Sequence, residues 1–216
     1  MRVLLVSALP PPEGGAAAWT STIVEQGLPE GFDLELVDSR VARSHWAEPT
    51  RPTPGEFRRL FLIWRQVNAR VKSGEIDVLH VANSPPDLGV FRDLLLARSA
   101  HRHGVPLVVQ LHGRFQVPSR TIAGRARKAA FRGLFSRSAR ILTSNDESSE
   151  AVAIMDPELA FKIEKVPNFI VEAEMPRSSQ LADLSKPLHV VYAGTMTSNK
   201  GIETILEVVR RVKDAR

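Results

Sequence analysis

The chain of 216 residues contains no cysteine. Disulfides, cysteine-ligated zinc and a cysteine nucleophile are therefore excluded, and a reducing, cytoplasmic setting is the expectation. No apolar run approaches the ~20 residues that span a bilayer. The opening Met1-Arg2-Val3-Leu4-Leu5-Val6-Ser7 is too short for a signal-peptide core and reads as a first strand. The G-x-G-x-x-G spacing of dinucleotide sites is missing after that strand, although the second strand ends in Asp38. A dinucleotide oxidoreductase is a poor fit for that reason. Acid is absent over one long stretch. Between Asp93 and Asp146 there is no Asp or Glu, while Arg98, Arg102, Arg114, Arg120 and further cations up to Arg140 fall there. A one-sign block of this length implies an anionic partner. Nucleic acid is not expected, because only Phe115, Phe131 and Phe135 interleave with these cations and no binding-module motif appears. No metal is expected either: His101 and His103 are two apart on a helix and face different ways.

What is present is the composition of a soluble globular protein, 43% hydrophobic and 25% charged. Short apolar strands alternate with amphipathic helices. Val3–Val6 is followed by Pro10-Pro11-Pro12-Glu13-Gly14-Gly15 and a helix carrying Trp19, Ile23, Val24 and Leu28. Phe32–Val37 alternates as strand two. Residues 38–54 read as a loop. Phe57, Leu60, Phe61, Trp64, Val67 and Val71 mark the apolar face of a long helix, with Arg58, Arg59, Arg65 and Arg70 on its other faces. Further strands are expected at Ile76–Val81, Pro106–Leu111, Ala139–Thr143 and Lys162–Val166, with helices between them. This alternation predicts an α/β fold, a parallel sheet with helices on both faces. Ligands of such sheets sit outside the carboxyl ends of the strands. Gly14 and Gly15, Asn83 and Ser84, His112 with Gly113 and Arg114, Ser144 and Asn145, and Asn168 all lie at those ends and are expected to line one crevice.

The glycine pair can bring backbone N–H groups close to an anion at a helix N-terminus. His112 can orient hydroxyls or carry a proton; the plainer alternative is a strand-end histidine bonded to backbone. His80 reads as structural. Residues 1–172 form the expected first domain and the polar stretch 173–187 a linker. Residues 188–216 form a single βα unit of a second domain, whose strand would need partners that are not present. Lys200 at the start of its helix is electrostatically unfavourable there unless an anion is bound.

Several pieces in this order resemble family 4 glycosyltransferases: the Gly14-Gly15 turn, Asp77-Val78-Leu79-His80 before a proline-rich turn, Gly104-Val105-Pro106 leading to Leu111-His112-Gly113, Pro167-Asn168 before a linker, and Tyr192-Ala193-Gly194 followed by Lys200-Gly201. The resemblance implies the GT-B arrangement of two facing Rossmann-like domains, a nucleotide-sugar donor, retaining transfer to a hydroxyl acceptor, and no cofactor. It assigns Gly14, Gly15, Gly194, Thr195 and Lys200 to the donor diphosphate and places His112 near the transferred sugar. Many members carry arginine where this chain has Thr195, and glycine where it has Phe169. The family's pair of glutamates would lie past residue 216, so an amino-terminal fragment, or a half that needs a partner chain, is the expectation.

The basic segment 119–138 reads as a helix with an inner stripe of Ile122, Ala126, Ala129, Ala130 and Leu134. Phe131 and Phe135 are expected on the outer face beside Arg127, Lys128 and Arg132. Lys128, Phe131, Arg132 and Phe135 are thus the expected contacts with an anionic membrane, peripherally on the inner face of the plasma membrane. Gly124 and Gly133 weaken helix propensity there. The alternative to an enzyme is a non-catalytic membrane- or partner-binding module built on the same fold.

Overall fold

The computed structural model describes residues 1–11, 14–40, 54–83, 89–168, 191–192 and 201–214. Two compact units divide the chain, Met1–Ala173 and Glu174–Arg216. The first is a six-stranded sheet of β1 (Arg2–Ser7), β2 (Asp33–Asp38), β3 (Val78–Asn83), β4 (Leu107–Leu111), β5 (Arg140–Thr143) and β6 (Ile163–Lys165). The strand order is β2-β1-β3-β4-β5-β6 and every pairing is parallel. Helices α1 (Gly15–Gln26), α2 (Pro54–Lys72), α3 (Gly89–Arg102), α4 (Ile122–Arg137) and α5 (Asp146–Met155) make the crossovers, and a short 3-10 helix, Pro157–Lys162, precedes β6.

Parallel strands force each connection to cross the sheet, and crossovers are right-handed. The step from β1 to β2 runs one way along the sheet and all later steps run the other way. α1 therefore covers one face and the remaining helices cover the opposite one. Strand alternation shows the division. Leu4 and Val6 of β1 join one large buried cluster with Leu79, Val81, Val109 and residues of α2, α3 and α4. Ser7, on the other face, bonds Thr20 of α1, Oγ to Oγ1 at 2.5 Å.

Local sequence explains the helix ends. Pro54 opens α2 where its missing N–H is not needed. The Thr121 side chain caps α4 by accepting from the Gly124 N–H at 3.1 Å. Asn145 caps α5 by accepting from Ser148 N–H at 2.9 Å, and Asp146 and Glu147 suit its first turn.

Two helices are rotated from the expectation. In α4, Phe131 and Phe135 are 3% and 0% exposed, whereas Ile122 is 89% exposed and Ala126 and Ala129 also face outward. The buried arc is Ala130, Phe131, Leu134 and Phe135, so the two phenylalanines are core residues and not an outer membrane contact. Two rings remove far more apolar surface from water than Ile122 and two alanines would. Phe115 completes a three-ring cluster, 5.0 Å from Phe131 and 5.8 Å from Phe135 between centroids. Of the other expected contacts on this helix, Lys128 is half-buried, and Arg132 is exposed but pairs with Asp156 at 3.0 Å. In α2 the buried face is Ile63, Val67 and Val71, while Phe57 and Phe61 are 61% and 54% exposed.

The α4 glycines serve close packing. A Cβ on Gly124 would lie 2.1 Å from the Ser119 carbonyl oxygen, and one on Gly133 would lie 3.0 Å from Leu94 of α3. In the second unit, α6 (Ile202–Asp214) exposes Leu206, Val209 and Val212 and holds an Arg211–Glu207 pair one turn apart.

Gly124→Ala forces backbone apart at the Ser119 contact. It should destabilise the first unit by about 1–3 kcal/mol, read as a lower midpoint in denaturant, whereas Gly15→Ala, whose Cβ would meet nothing within 4 Å, should not.

Candidate functional site

Because all six strands are parallel, their carboxyl ends share one edge. The register fixes which residues meet there. Asn83 stands beside Leu111, Leu111 beside Thr143, and Thr143 beside Lys165. The next residue along each strand continues the row, so His112 and Ser144 follow side by side. The order β2-β1-β3 reverses direction at β1, and the crevice of such a sheet opens between β1 and β3.

The turn after β1 begins with a cis Pro10–Pro11 peptide and delivers the chain to α1. Gly14 takes the N-cap position without a side-chain cap, and α1 has no acid in its first turn. The leading N–H groups of a helix lack intrahelical acceptors. The open space at Gly15, where a Cβ would meet no atom within 4 Å, leaves room for an anion to approach them. Asp38, at the end of β2, is fully engaged: it accepts from Leu9 N–H at 3.2 Å and from Arg40 N–H at 2.9 Å, and it pairs with the Arg40 guanidinium.

His80 and His112 share the α1 face of the sheet. Trp19 of α1 lies over both, 5.8 Å from the His80 ring and 4.8 Å from the His112 ring between centroids. His112 is 9% exposed, and the Nε2 atoms of both histidines are buried without a hydrogen-bond partner. Burial pushes the His112 imidazolium down to about 4. His80 is also pushed down to about 4, chiefly by burial, against a hydrogen bond with buried Gln110 and with a smaller contribution from the His112 charge. Both rings are neutral at pH 7, and each unpartnered Nε2 can serve as one donor or one acceptor. An unsatisfied buried ring nitrogen costs stability.

The other expected cleft residues divide by task. The Gly113 backbone takes a left-handed φ of 87°, and its carbonyl accepts from Ser148 Oγ at 3.3 Å, while Phe115 N–H donates to the same hydroxyl at 2.9 Å. Asn145 spends its side chain on the α5 cap and on Ser144 Oγ at 3.2 Å. Arg114 pairs with Glu147 at 2.7 Å on the surface. Asn168 is exposed beyond β6. Asn83 ends β3, but its side chain, Ser84, and the expected diphosphate contacts Gly194, Thr195 and Lys200 lie outside the described residues. Among the described residues no cluster of three His, Asp or Glu groups suits a metal ion, and no helix is long and apolar enough to cross a membrane. Trp19 and Gln110 are the additions that sequence reasoning missed. Both share sheet-face parity or helix position with the histidines, a signal that appears only once the β3–β4 register is known.

The sequence profile of Glycosyltransferase Family 4 matches residues 14–171. No curated protein matches the chain. Among solved structures, the S. aureus MnaA–UDP co-structure is 9% identical, with a TM-score of 0.48, and the match covers 75% of this chain and 42% of that one.

Acidification should unfold the protein through this site. Between about 6.5 and 4 the unfolded histidines bind protons that the folded ones refuse, so stability rises with pH across that window and is lost as pH falls. Each histidine contributes a slope of up to about 1.4 kcal/mol per pH unit. Denaturant midpoints from pH 7 to 4 should show the slope, and His80→Gln with His112→Gln should flatten it.

Proposed function

The chain belongs to glycosyltransferase family 4, and from that membership we propose that it forms the acceptor-side part of a retaining transferase that moves a sugar from a nucleotide-sugar donor to a hydroxyl acceptor. One observation carries the reading: the buried, unpartnered Nε2 of neutral His112 at the carboxyl edge of the sheet. A neutral imidazole there can donate to or accept from a ligand hydroxyl, which is itself both donor and acceptor. Trp19 lies against the ring, 4.8 Å away between centroids and tilted by 59°.

The donor's diphosphate would meet the Gly14–Gly15 turn at the start of α1, where free N–H groups and the helix dipole favour negative charge. The sugar would reach His112, whose Nε2 would hold a hydroxyl and tighten on it as charge develops at the reacting carbon. Gly194, Thr195 and Lys200 are proposed, on family membership alone, as further contacts of the diphosphate.

Titration of the chain with nucleoside diphosphate sugars, followed by amide chemical shifts, tests the proposal. A productive donor should move the resonances of Gly14, Gly15 and His112 together. Gly15→Val should weaken that binding about tenfold, the loss of one or two charge-assisted N–H contacts, without lowering the unfolding midpoint. His112→Ala should leave binding of the bare nucleoside diphosphate unchanged while reducing the gain from the sugar. Shifts confined to other parts of the sheet, for every donor tried, would overturn the assignment.

A further inference from the structure

The helical layer formed by α2, α3 and α4 presents an outer surface that the core does not explain. The three helices pack side by side over one face of the sheet, with Ser99 of α3 donating to Asn68 of α2 at 2.6 Å and Gly133 of α4 against Leu94 of α3. Each begins at the carboxyl edge of the sheet, because each follows a parallel strand. Their first two turns therefore form one rim beside the crevice.

That rim exposes large apolar side chains. Phe57, Phe61 and Leu62 of α2 are 61%, 54% and 39% exposed, Phe91 and Leu95 of α3 are 38% and 44% exposed, and Ile122 opens α4 at 89%. Cations stand among them. Arg58 and Arg65 lie on the same outward face of α2, Arg98 continues the α3 stripe one turn on, and Arg120, Arg125 and Lys128 line an open groove at the start of α4. None of these six has a carboxylate partner among the described residues. Acid is nearly absent: the three helices contain only Glu56, half-buried, and Asp93, buried against Arg92.

Helix N-termini favour acidic side chains, and like charges repel. Arg58 in the first turns of α2, and Arg120, Arg125 and Lys128 at the start of α4, therefore sit where the isolated protein gains least from them, while Arg65 and Arg98 extend the positive charge along α2 and α3. An anionic sheet of charge reverses the sign of both terms at once. Exposed phenylalanine beside arginine is the composition of a surface that dips into a headgroup layer, with rings at the acyl boundary and guanidinium groups on the phosphates. An acidic protein groove could match the charge, but the features spread over three helix ends along one edge, which suits an extended plane.

We propose that this rim docks on an anionic lipid bilayer and holds the crevice at the membrane surface. The contact replaces the α4 phenylalanines, which are core, with Phe57 and Phe61 of α2. Its existence does not depend on the transferase reading; that reading adds only that the acceptor arrives from the lipid side.

Co-sedimentation of the full chain with phosphatidylcholine vesicles, and with phosphatidylcholine–phosphatidylglycerol vesicles, without nucleotide, tests docking separately from donor binding. Binding is expected only with phosphatidylglycerol and should weaken with added salt. Phe57→Ser with Phe61→Ser, and separately Arg58→Glu with Arg65→Glu, should each weaken binding about tenfold or more while keeping the wild-type unfolding midpoint. Phe161→Ser, an exposed ring away from the rim (77% exposed), should bind like wild type. Equal binding to neutral vesicles, full binding by both double variants, or an equal loss in Phe161→Ser would overturn the proposal.

Discussion

The parallel hydrogen-bond ladder is the constraint from which the rest follows. Six strands running the same way cannot be joined by hairpins, so each needs a helix to carry the chain back. That requirement gathers every strand's carboxyl end, and every helix N-terminus, on one edge. The edge therefore collects unpaired N–H groups and positive dipole ends before any particular side chain is chosen. Glycine at the first of these ends, and a histidine following β4, then differentiate an edge that is already suited to anions and hydroxyls.

The two faces of the sheet meet different physical demands. On the α2–α4 face the large cluster is aliphatic and aromatic, with the Phe115 ring edge-on to Phe131 and Phe135, and the buried Arg92–Asp93 pair and the Ser99–Asn68 bond in that layer are partnered. On the α1 face the strands contribute Ser7, His80 and Gln110, and α1 answers with Thr20 and Trp19. Buried polar groups that are partnered cost little, whereas the unpartnered Nε2 atoms of His80 and His112 are costly, and both lie on the α1 face. Stability sacrificed at a position that faces a cleft is the usual mark of a binding surface.

Much of this was legible in the sequence. The strand–helix alternation and the edge residues follow from apolar runs separated by turn signals, and the resemblance to family 4 glycosyltransferases agrees with the matched residues 14–171. Helix rotation was not legible. In α2 and α4 more than one apolar arc satisfies the 3.6-residue period, and the choice depends on which neighbour offers a complementary ring or groove. Phe115, distant in sequence, decides it for α4. The histidine environment was equally hidden: His80 and His112 lie 32 positions apart, and only the β3–β4 register, with Val81 beside Val109, sets them on the same face under Trp19.

The same error in rotation also relocated a surface. A basic segment rich in phenylalanine suggested lipid contact on α4, and the charge pattern behind that idea survives while its rings do not. Burying Phe131 and Phe135 leaves α4 with cations but, apart from Ile122 at its start, little large apolar surface to insert. The missing hydrophobic component stands on α2, the first helix of the same layer, where Ile63, Val67 and Val71 satisfy the core and leave Phe57 and Phe61 outside. Core packing therefore determines the outer surface: each helix turns its best-fitting arc inward, and whatever apolar area remains is exposed by that choice. Where the remainder lies beside unpaired arginines at one rim, its position follows from the fold and its composition from the sequence.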